Sequence, residues 1–210
     1  MKKSMKCLIA VVLLFAATVS ANAQFEDNRV TKRFHMGLHG GLSVNNYTGD
    51  KTEGYDALPY FTGGLHFDFQ IAPVPVYIGF EMNYLNLGYK YSGSSYSSSY
   101  SYRKDKTYNA NCYNLPIYVG YHFNVSPNFF ISPHAGISMS YCLDDLDDKN
   151  YDWDDNRFNY ALRLGLGMNF GRLVFDFAYD FGLKNTGTDR YKSHTGTFVA
   201  TIGVNLAGAR

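Results

Sequence analysis

The chain has 210 residues and a formal net charge of +1, with 18% charged and 46% hydrophobic residues. Soluble domains usually carry about 25% charged residues, and this chain instead contains 19 tyrosines and 16 phenylalanines. The length suits one domain, and nothing in the near-neutral charge suggests nucleic acid as a partner. The many tyrosines and phenylalanines favour strands. Tyrosine also suits a membrane–water boundary, where one end of the side chain is in an apolar environment and the other end is in water.

The first 23 residues have the pattern of an export signal. An apolar run of 12 residues at 8–19 precedes the small-x-small motif Ala21-Asn22-Ala23, after which a signal peptidase would cleave. The run is too short to cross a membrane as a helix. The basic segment before it consists of Lys2, Lys3 and Lys6. Without these lysines, 16 basic and 18 acidic residues remain, so the predicted mature chain has a net charge of −2.

From Phe34 to Leu206, large apolar residues alternate with small or polar ones, most regularly over 158–170. Successive side chains of a strand point to opposite faces, so this period of two gives one apolar and one polar face. The apolar positions of this stretch are Phe158, Tyr160, Leu162, Leu164, Leu166, Met168 and Phe170. The positions between them are Asn159, Ala161, Arg163, Gly165, Gly167 and Asn169.

Eight stretches of this kind predict eight strands. They lie at 34–47, 60–69, 76–90, 108–123, 129–141, 158–170, 173–184 and 197–206. Short connections at 70–75, 124–128 and 171–172 alternate with long ones at 48–59, 91–107, 142–157 and 185–196. This asymmetry, with an apolar outer face and a polar inner face, is typical of outer-membrane barrels, whose short turns are periplasmic.

The sequence therefore predicts an all-β protein, an eight-stranded antiparallel up-and-down transmembrane β-barrel. We expect a signal peptide at 1–23, a short periplasmic segment at 24–33, the barrel at 34–206 and a tail at 207–210. The alternation slips near Tyr84–Leu85, which predicts a β-bulge in the third strand.

Three motifs resemble the PorT-like outer-membrane β-barrel family of Bacteroidota. They are the opening strand from Phe34 to Asp50, the Pro-containing strand from Tyr113 to Phe123, and the segment from Phe175 to Asn185. The resemblance spans nearly the whole predicted mature chain and implies an integral outer-membrane barrel. It does not imply one particular activity.

The polar face of the predicted barrel carries charged residues that we expect inside the lumen. They are Glu81, Arg163, Asp176, Asp180 and Lys184, together with Asp68 and Asn83. The interior of an eight-stranded barrel is just wide enough for side chains to fill, and buried charges must be paired. A packed polar network that closes the lumen is therefore the favoured interpretation. A narrow path for ions or protons is the alternative.

Two further groups raise the question of a metal. Five histidines fall on the predicted lumen face: His35, His39, His66, His122 and His134. They lack the compact spacing of a metal site, so we expect neutral, hydrogen-bonded rings and no cofactor. Seven aspartates between Asp144 and Asp155 surround Trp153. Because the ordered Ca²⁺-loop pattern is missing, a solvated acidic loop is favoured over a weak Ca²⁺ or lipopolysaccharide site.

The Ser/Tyr-rich segment 92–102 and the basic residues after it form the candidate interaction loop. Its residues of interest are Tyr96, Tyr100, Tyr102, Arg103 and Lys104. Tyr and Ser supply adaptable contacts at binding surfaces. A mobile loop is the plainer interpretation, and the alternating tyrosines could also extend the hairpin beyond the membrane.

Cysteine spacing predicts one cross-link. Cys7 leaves with the signal peptide, so Cys112 and Cys142 remain in an oxidising compartment. Their positions are symmetric about residue 127, inside the predicted turn. We therefore expect a cross-strand disulfide between these two residues near the outer rim.

The predicted role is structural, or a surface interaction through the long loops, and it is not enzymatic. Expected partners are outer-membrane lipid, lipopolysaccharide, the outer-membrane assembly machinery and an envelope or host-surface protein, with a monomeric barrel. One alternative is a lipid-modifying rim enzyme that uses Ser193, His194 and Asp189, although nothing fixes their geometry. Another is a soluble lipocalin-like barrel with a ligand inside.

Overall fold

The computed structural model describes residues 34–49, 55–71, 74–97, 100–126, 128–143, 157–184 and 193–207. These residues form ten strands. In chain order they are β1 (Phe34–Gly49), β2 (Tyr55–Ala57), β3 (Pro59–Ile71), β4 (Val76–Ser97), β5 (Tyr100–Tyr121), β6 (Phe123–Ser126), β7 (Phe129–Cys142), β8 (Phe158–Phe170), β9 (Leu173–Gly182) and β10 (Ser193–Ala207).

All strands pair antiparallel in a sheet that closes on itself. Each long strand pairs with its neighbour in the chain, the last strand β10 pairs with β1, and β4 pairs with β5 to complete the ring. The short strand β2 extends β3 along β4, and β6 continues β5 after His122. The predicted closed eight-stranded antiparallel barrel is therefore confirmed. Closure leaves the barrel wall without open edges.

The two ends of the barrel differ in their connections. At one end, here the turn end, the strands join through residues 72–75, 127–128 and 171–172. Gly171 has a φ of 60°, a left-handed conformation that glycine adopts without steric cost. At the opposite end, the loop end, connections include 50–54, 143–157 and 183–192, which lie largely outside the described residues. The predicted alternation of short and long connections holds at 143–157 and 183–192, whereas the long connection predicted at 48–59 is wrong, because β1 continues to Gly49 and Tyr55–Ala57 form β2.

Two further expectations about this sheet are wrong. The predicted long connection at 91–107 is largely strand, because β4 continues to Ser97 and β5 begins at Tyr100. The predicted bulge at Tyr84–Leu85 does not occur, since the pairing of β3 and β5 with β4 passes both residues in constant register. Leu85 instead points inward and is 3% exposed. Because Leu85 is an apolar residue on the polar face, the sequence resembled the shift in alternation that a bulge would cause.

The outer surface is apolar and layered. At the turn end it carries a belt rich in phenylalanine, in which Phe67 stacks on Phe80 at 4.5 Å and Phe129 stacks on Phe170 at 4.2 Å. Towards the loop end, a row of aromatics crosses four strands in register: Tyr84, Tyr113, Tyr141 and Phe158. Exposed aliphatic residues lie between them, including Leu38, Met82, Leu115, Ile117, Val119, Ile137 and Leu164. Aromatic girdles around an aliphatic band are typical of barrels in an outer membrane.

The inner surface is polar. Most of the buried residues carry polar side chains, among them Asn45, Thr62, Asn114, Ser138 and Thr197. A lipocalin-like barrel requires the opposite arrangement, so this alternative does not fit the two faces. No helix in the described part of the chain is long and apolar enough to span a membrane.

Candidate functional site: the polar lumen

The centre of the lumen is occupied by one arginine and two carboxylates, here called the Arg163 cluster (Glu81, Arg163 and Asp180). Arg163 donates from Nε and Nη2 to the two oxygens of Asp180 at 2.7 and 3.1 Å. It also donates from Nη1 to Glu81 Oε2 at 3.0 Å. Arg163 is 1% exposed, and both carboxylates are 5% exposed. Bidentate pairing of this kind is strong and geometrically specific, and here it fills the lumen between opposite walls.

The strands position these three side chains for contact. Arg163 and Asp180 are direct cross-strand partners on β8 and β9, so their side chains share one inward face. Glu81 comes from β4, which lies on the opposite side of the ring from β9. The long side chain of Arg163 contacts both carboxylates and so connects the two walls.

A chain of hydrogen bonds extends from the Arg163 cluster around one side of the wall. Asn83 donates to Glu81 Oε2 at 2.7 Å, and its Oδ1 lies 2.7 Å from His39 Nε2. The Nδ1 atoms of His39 and His66 are 3.4 Å apart, and His66 Nε2 lies 2.8 Å from Asn205 Oδ1. These residues come from the neighbouring strands β4, β1, β3 and β10. The network therefore ties half of the barrel wall to the arginine.

Rings fill the lumen towards the turn end. Tyr77 stacks on His122 with centroids 4.1 Å apart, and Tyr118 lies 4.4 Å from His134. His122 Nδ1 also bonds the hydroxyl of Ser132 at 2.8 Å. A Cβ added at Gly120 would lie 2.4 Å from Tyr77 Cζ, so glycine provides the space for this ring.

Small hydroxyl and amide side chains fill the lumen towards the loop end. Asn114 donates to the hydroxyls of Ser138 and Ser140 at 2.7 and 2.8 Å. Thr197 donates to Asn45 Oδ1 at 2.9 Å. A cavity of about 10 Å³, lined partly by Ser138 and Thr197, remains between them. That volume holds about one water molecule.

Two of the cysteines, Cys112 and Cys142, lie at the loop end of β5 and β7. Cys112 and Cys142 are direct partners in the register and form a disulfide, with the sulfur atoms 2.01 Å apart. Their exposed fractions are 0% and 3%. Both side chains lie on the inward face, so the cross-link is shielded at the base of the β4–β5 hairpin.

The remaining lumen candidates lie apart from the Arg163 cluster. Asp176 approaches His134 Nδ1 at 3.7 Å, and Asp68 lies beside Tyr118 at the position where a Cβ on Gly79 would lie. Lys184 donates to the backbone oxygen of Phe158 at 3.1 Å, which places it at the loop end. Of the five predicted network residues, the structure thus brings together Glu81, Arg163 and Asp180.

Sequence reasoning missed two members of this network. Tyr118 donates to Glu81 Oε1 at 3.1 Å and is 6% exposed. Asn205 is 3% exposed and contacts His66. Both occupy inward positions of the alternation, which is the signal that could have identified them. Alternation alone does not say which inward residues lie at the same height.

The candidate interaction residues lie on the β4–β5 hairpin. Tyr96, Tyr100, Tyr102, Arg103 and Lys104 all belong to its paired strands, with Ser94 opposite Arg103 and Ser95 opposite Tyr102. The hairpin register continues from Val76–Tyr121 to Ser97–Tyr100. The segment is therefore a long two-stranded ribbon rather than a loop.

Other candidates fall partly or wholly beyond the described residues. The acidic segment 144–155 and Asp189 lie outside them. His194 is exposed at the loop end, where its backbone pairs with Thr48. Within the described ranges, no group of three or more His, Cys, Asp or Glu residues is arranged to hold a metal ion.

Comparison with protein families identifies the class. Residues 22–187 match the model of the outer membrane protein beta-barrel domain family, and the match covers most of the chain. The chain belongs to this family and is an integral outer-membrane β-barrel protein. Its turn end accordingly faces the periplasm and its loop end faces outwards. Comparison with curated proteins finds no match.

Solved outer-membrane barrels share the general architecture at low identity. The attachment invasion locus protein Ail of Yersinia pestis is 11% identical, with 83% of this chain and 100% of that chain covered and a TM-score of 0.42. Outer membrane protein W of E. coli is 12% identical, with 83% and 99% covered and a TM-score of 0.43. The β-barrel domain of Pseudomonas aeruginosa OprF is 9% identical, with 84% and 99% covered and a TM-score of 0.38. At these sequence identities and TM-scores, the similarities carry no information about function.

Proposed function

We propose that this protein is a non-enzymatic surface-interaction barrel, in which a closed, rigid membrane domain presents the β4–β5 hairpin to a protein outside the cell. The single observation that carries the proposal is the length of this hairpin. Its two strands have 22 residues each, whereas about 9–11 tilted residues suffice to cross the hydrocarbon of a membrane. Half of each strand is therefore available beyond the membrane.

The β4–β5 hairpin extends further towards the loop end than the strands that pair with it on either side. On one side, β7 pairs with β5 as far as Cys112 and forms one further bond, from Leu143 N to Asn111 O at 2.8 Å. On the other side, β2 pairs with β4 as far as Tyr91. Beyond these points, β4 and β5 pair only with each other among the described residues. The 11 residues from Tyr100 to Ala110 correspond to about 35 Å of strand.

The composition of this ribbon suits a contact surface. It combines Tyr96, Tyr100 and Tyr102 with serines and with the cations Arg103 and Lys104. Tyrosine supplies large contact area at a low cost in conformational entropy, and serine supplies adaptable hydrogen bonds. The partner class proposed for it is an envelope or host-surface protein.

The filled lumen supports a platform rather than a channel. The Arg163 cluster joins opposite walls with side chains that are at most 5% exposed. Paired, hydrogen-bonded charges in such a site are costly to separate. The barrel is accordingly a closed anchor for the projecting hairpin.

We also propose a family type, a cleavage site and a cellular location for this barrel. The PorT-like Bacteroidota type is supported by the motifs at Phe34–Asp50, Tyr113–Phe123 and Phe175–Asn185. Cleavage after Ala23 is supported by the small-x-small motif. We place the mature monomer among outer-membrane lipid and lipopolysaccharide after insertion by the outer-membrane assembly machinery.

The test is adhesion of cells that display the protein. A Gram-negative host lacking other adhesins would express the wild type or a variant with Tyr96, Tyr100 and Tyr102 changed to Ser. Adhesion to a panel of immobilised surface proteins is expected to exceed that of empty cells for the wild type and to fall to the empty-cell level for the variant. Boiled and unboiled samples on SDS gels would verify that each barrel is folded.

A matched control changes Ser94, Ser95 and Ser97 to Ala on the same hairpin. This control should adhere like the wild type, because it keeps the tyrosines and the cations. Equal adhesion by the tyrosine variant and the wild type would contradict the proposal, as would wild-type adhesion no higher than that of empty cells.

A further inference from the structure

We propose that the disulfide between Cys112 and Cys142 is made by a protein thiol oxidant of the periplasm before the barrel closes, and that closure then shields the bond from further exchange. The bond is here called the enclosed disulfide, and the proposal is independent of the proposed surface function. It rests on the burial of the two residues, on their short separation along the chain and on the position of β5 in the ring.

Neither cysteine is accessible in the closed barrel. Cys112 is 0% exposed and Cys142 is 3% exposed. A disulfide forms or breaks when the thiolate of one partner attacks a sulfur of the other and makes a mixed disulfide. The attacking sulfur of a protein partner must therefore contact Cys112 or Cys142, and the closed wall gives it no path to either residue.

Buried neighbours surround Cys112 on its own strand and on the next one. Ala110 and Asn114, two positions away on the same inward face of β5, are both buried. Leu85, the direct partner of Cys112 on β4, is buried as well. On its other side, Cys112 pairs with Cys142 of β7. The disulfide is thus enclosed within the wall formed by β4, β5 and β7.

The last strand of the chain completes this enclosure. In the ring, β10 lies opposite β5, because β7, β8 and β9 separate the two strands on one side and β4, β3 and β1 separate them on the other. The small cavity beside the enclosed disulfide is lined by Leu85 and Ser140, and also by Thr195 and Thr197 of β10. Without β10, the inward face of the β5–β7 hairpin lacks its opposite wall and is open to water.

The two cysteines can meet before the ring closes. They are 30 residues apart along the chain and are direct partners in the register. Ring closure instead requires β1 to pair with β10, the first strand with the last. Contacts between residues that are close in sequence cost less loop-closure entropy than contacts between distant ones. The β5–β7 hairpin therefore forms before closure, and its inward face then presents both thiols to a partner.

The exchange chemistry defines the class of that partner. The thiolate of one cysteine attacks the disulfide of the oxidant, forms a mixed disulfide and releases one oxidant sulfur as a thiolate. The thiolate of the other cysteine attacks the mixed disulfide, which forms the Cys112–Cys142 bond and releases the second oxidant sulfur. Two electrons pass from the cysteines to the oxidant, and the two thiol protons end on its sulfurs. The partner is a dithiol–disulfide protein in its disulfide form, which suits the oxidising periplasm.

The first test varies the moment at which the oxidant is added. The mature protein, reduced and unfolded in urea, is diluted into detergent micelles with a bacterial dithiol–disulfide oxidase, either present from the start or added after folding. The unboiled band on SDS gels shows when the barrel has folded. We expect full oxidation in the first case and oxidation at least about tenfold slower in the second, because the folded barrel exposes its thiols only when it opens. Equal rates for early and late addition would overturn the proposal.

A matched control shows whether detergent alone blocks the outer rim. Leu143→Cys, combined with Cys112→Ser and Cys142→Ser, introduces one thiol beside the site, at a side chain that is 46% exposed. A maleimide coupled to polyethylene glycol should label this variant in the folded barrel. The same reagent should label both thiols of the reduced wild type only after unfolding. Labelling of the folded, reduced wild type would contradict the enclosure.

The second test does not require the reduced chain to fold. The oxidised wild type, folded in detergent or unfolded in urea, is treated with a water-soluble phosphine reductant, and the free thiols are counted by alkylation. Oxidised glutathione in each solvent provides the reference rate. Relative to this reference, reduction of the folded barrel should be at least about tenfold slower than reduction of the unfolded chain. Similar relative rates in the two states would refute the proposal.

Discussion

The two halves of the lumen are filled in different ways. Below the Arg163 cluster, towards the turn end, aromatic and imidazole rings stack over glycines, as Tyr77 does over Gly120. Above it, towards the loop end, short hydroxyl and amide groups such as Asn114 and Ser138 are joined by hydrogen bonds. The rings pack against one another with a large contact area. The small polar groups are instead held by hydrogen bonds of fixed direction, and they leave a cavity of about 10 Å³.

The two halves of the lumen therefore contribute to the barrel in different ways. The ring-filled half closes the barrel on the periplasmic side through packing. The hydroxyl-filled half lies beneath the projecting hairpin, where the disulfide adds a covalent link between β5 and β7. Between them, the Arg163 cluster holds opposite walls together. Variants in each region should therefore lose stability for different reasons and by different amounts.

The largest loss is expected at the boundary between the halves. Arg163→Ala leaves Glu81 and Asp180 buried without their cation, which typically costs about 3–5 kcal/mol. Urea unfolding in detergent or lipid, followed by far-UV circular dichroism of the strands, would measure the loss. The matched control combines Arg163→Met with Glu81→Gln and Asp180→Asn, and it should recover most of the stability because no charge stays unpaired. A loss below 1 kcal/mol for Arg163→Ala would contradict the role given to this cluster.

The next effect is expected at the base of the hairpin. Cys112→Ser with Cys142→Ser removes a cross-link that spans 30 residues, and loop-closure entropy for that separation corresponds to about 3–4 kcal/mol. Urea unfolding of the double variant, and of the wild type with and without reductant, would measure this. Alkylation of denatured, non-reduced wild type should label neither thiol. Labelling of both thiols would show that the disulfide does not form.

The smallest losses of stability are expected from two single variants, one in the ring-filled half of the lumen and one in the hydroxyl-filled half. Tyr77→Leu removes ring contacts with His122 and Tyr118, and each aromatic pair contributes about 0.5–1.5 kcal/mol, so a loss of about 1–2 kcal/mol is expected. Ser138→Ala removes one acceptor of Asn114, which keeps its bond to Ser140, so the loss should be about 1 kcal/mol or less. Unfolding under identical conditions would rank them. A larger loss for Ser138→Ala would reverse the comparison.

Much of the wall was predictable from the sequence. The strand from Phe158 to Phe170 was placed with the bounds that the structure shows, because its alternation is regular and its ends are marked by a turn. The bulge expected at Tyr84–Leu85 was wrong, since Leu85 is an apolar residue on the inward face. The connection expected at 91–107 was wrong because Ser and Tyr in alternation pair as strand. Polar composition alone does not separate a loop from an exposed ribbon.

The sequence by itself determined most of the strand positions, the two faces of the wall and the membership of Glu81, Arg163 and Asp180 in the lumen. The tertiary structure alone decided that Arg163 reaches Glu81, 82 residues away along the chain, while Lys184 binds a backbone oxygen at the loop end. It alone brought His39 to His66. The physical reason is that alternation fixes the side of the wall on which a residue lies. The height and angle of that residue in the lumen depend on the register and tilt of the strands around the closed ring.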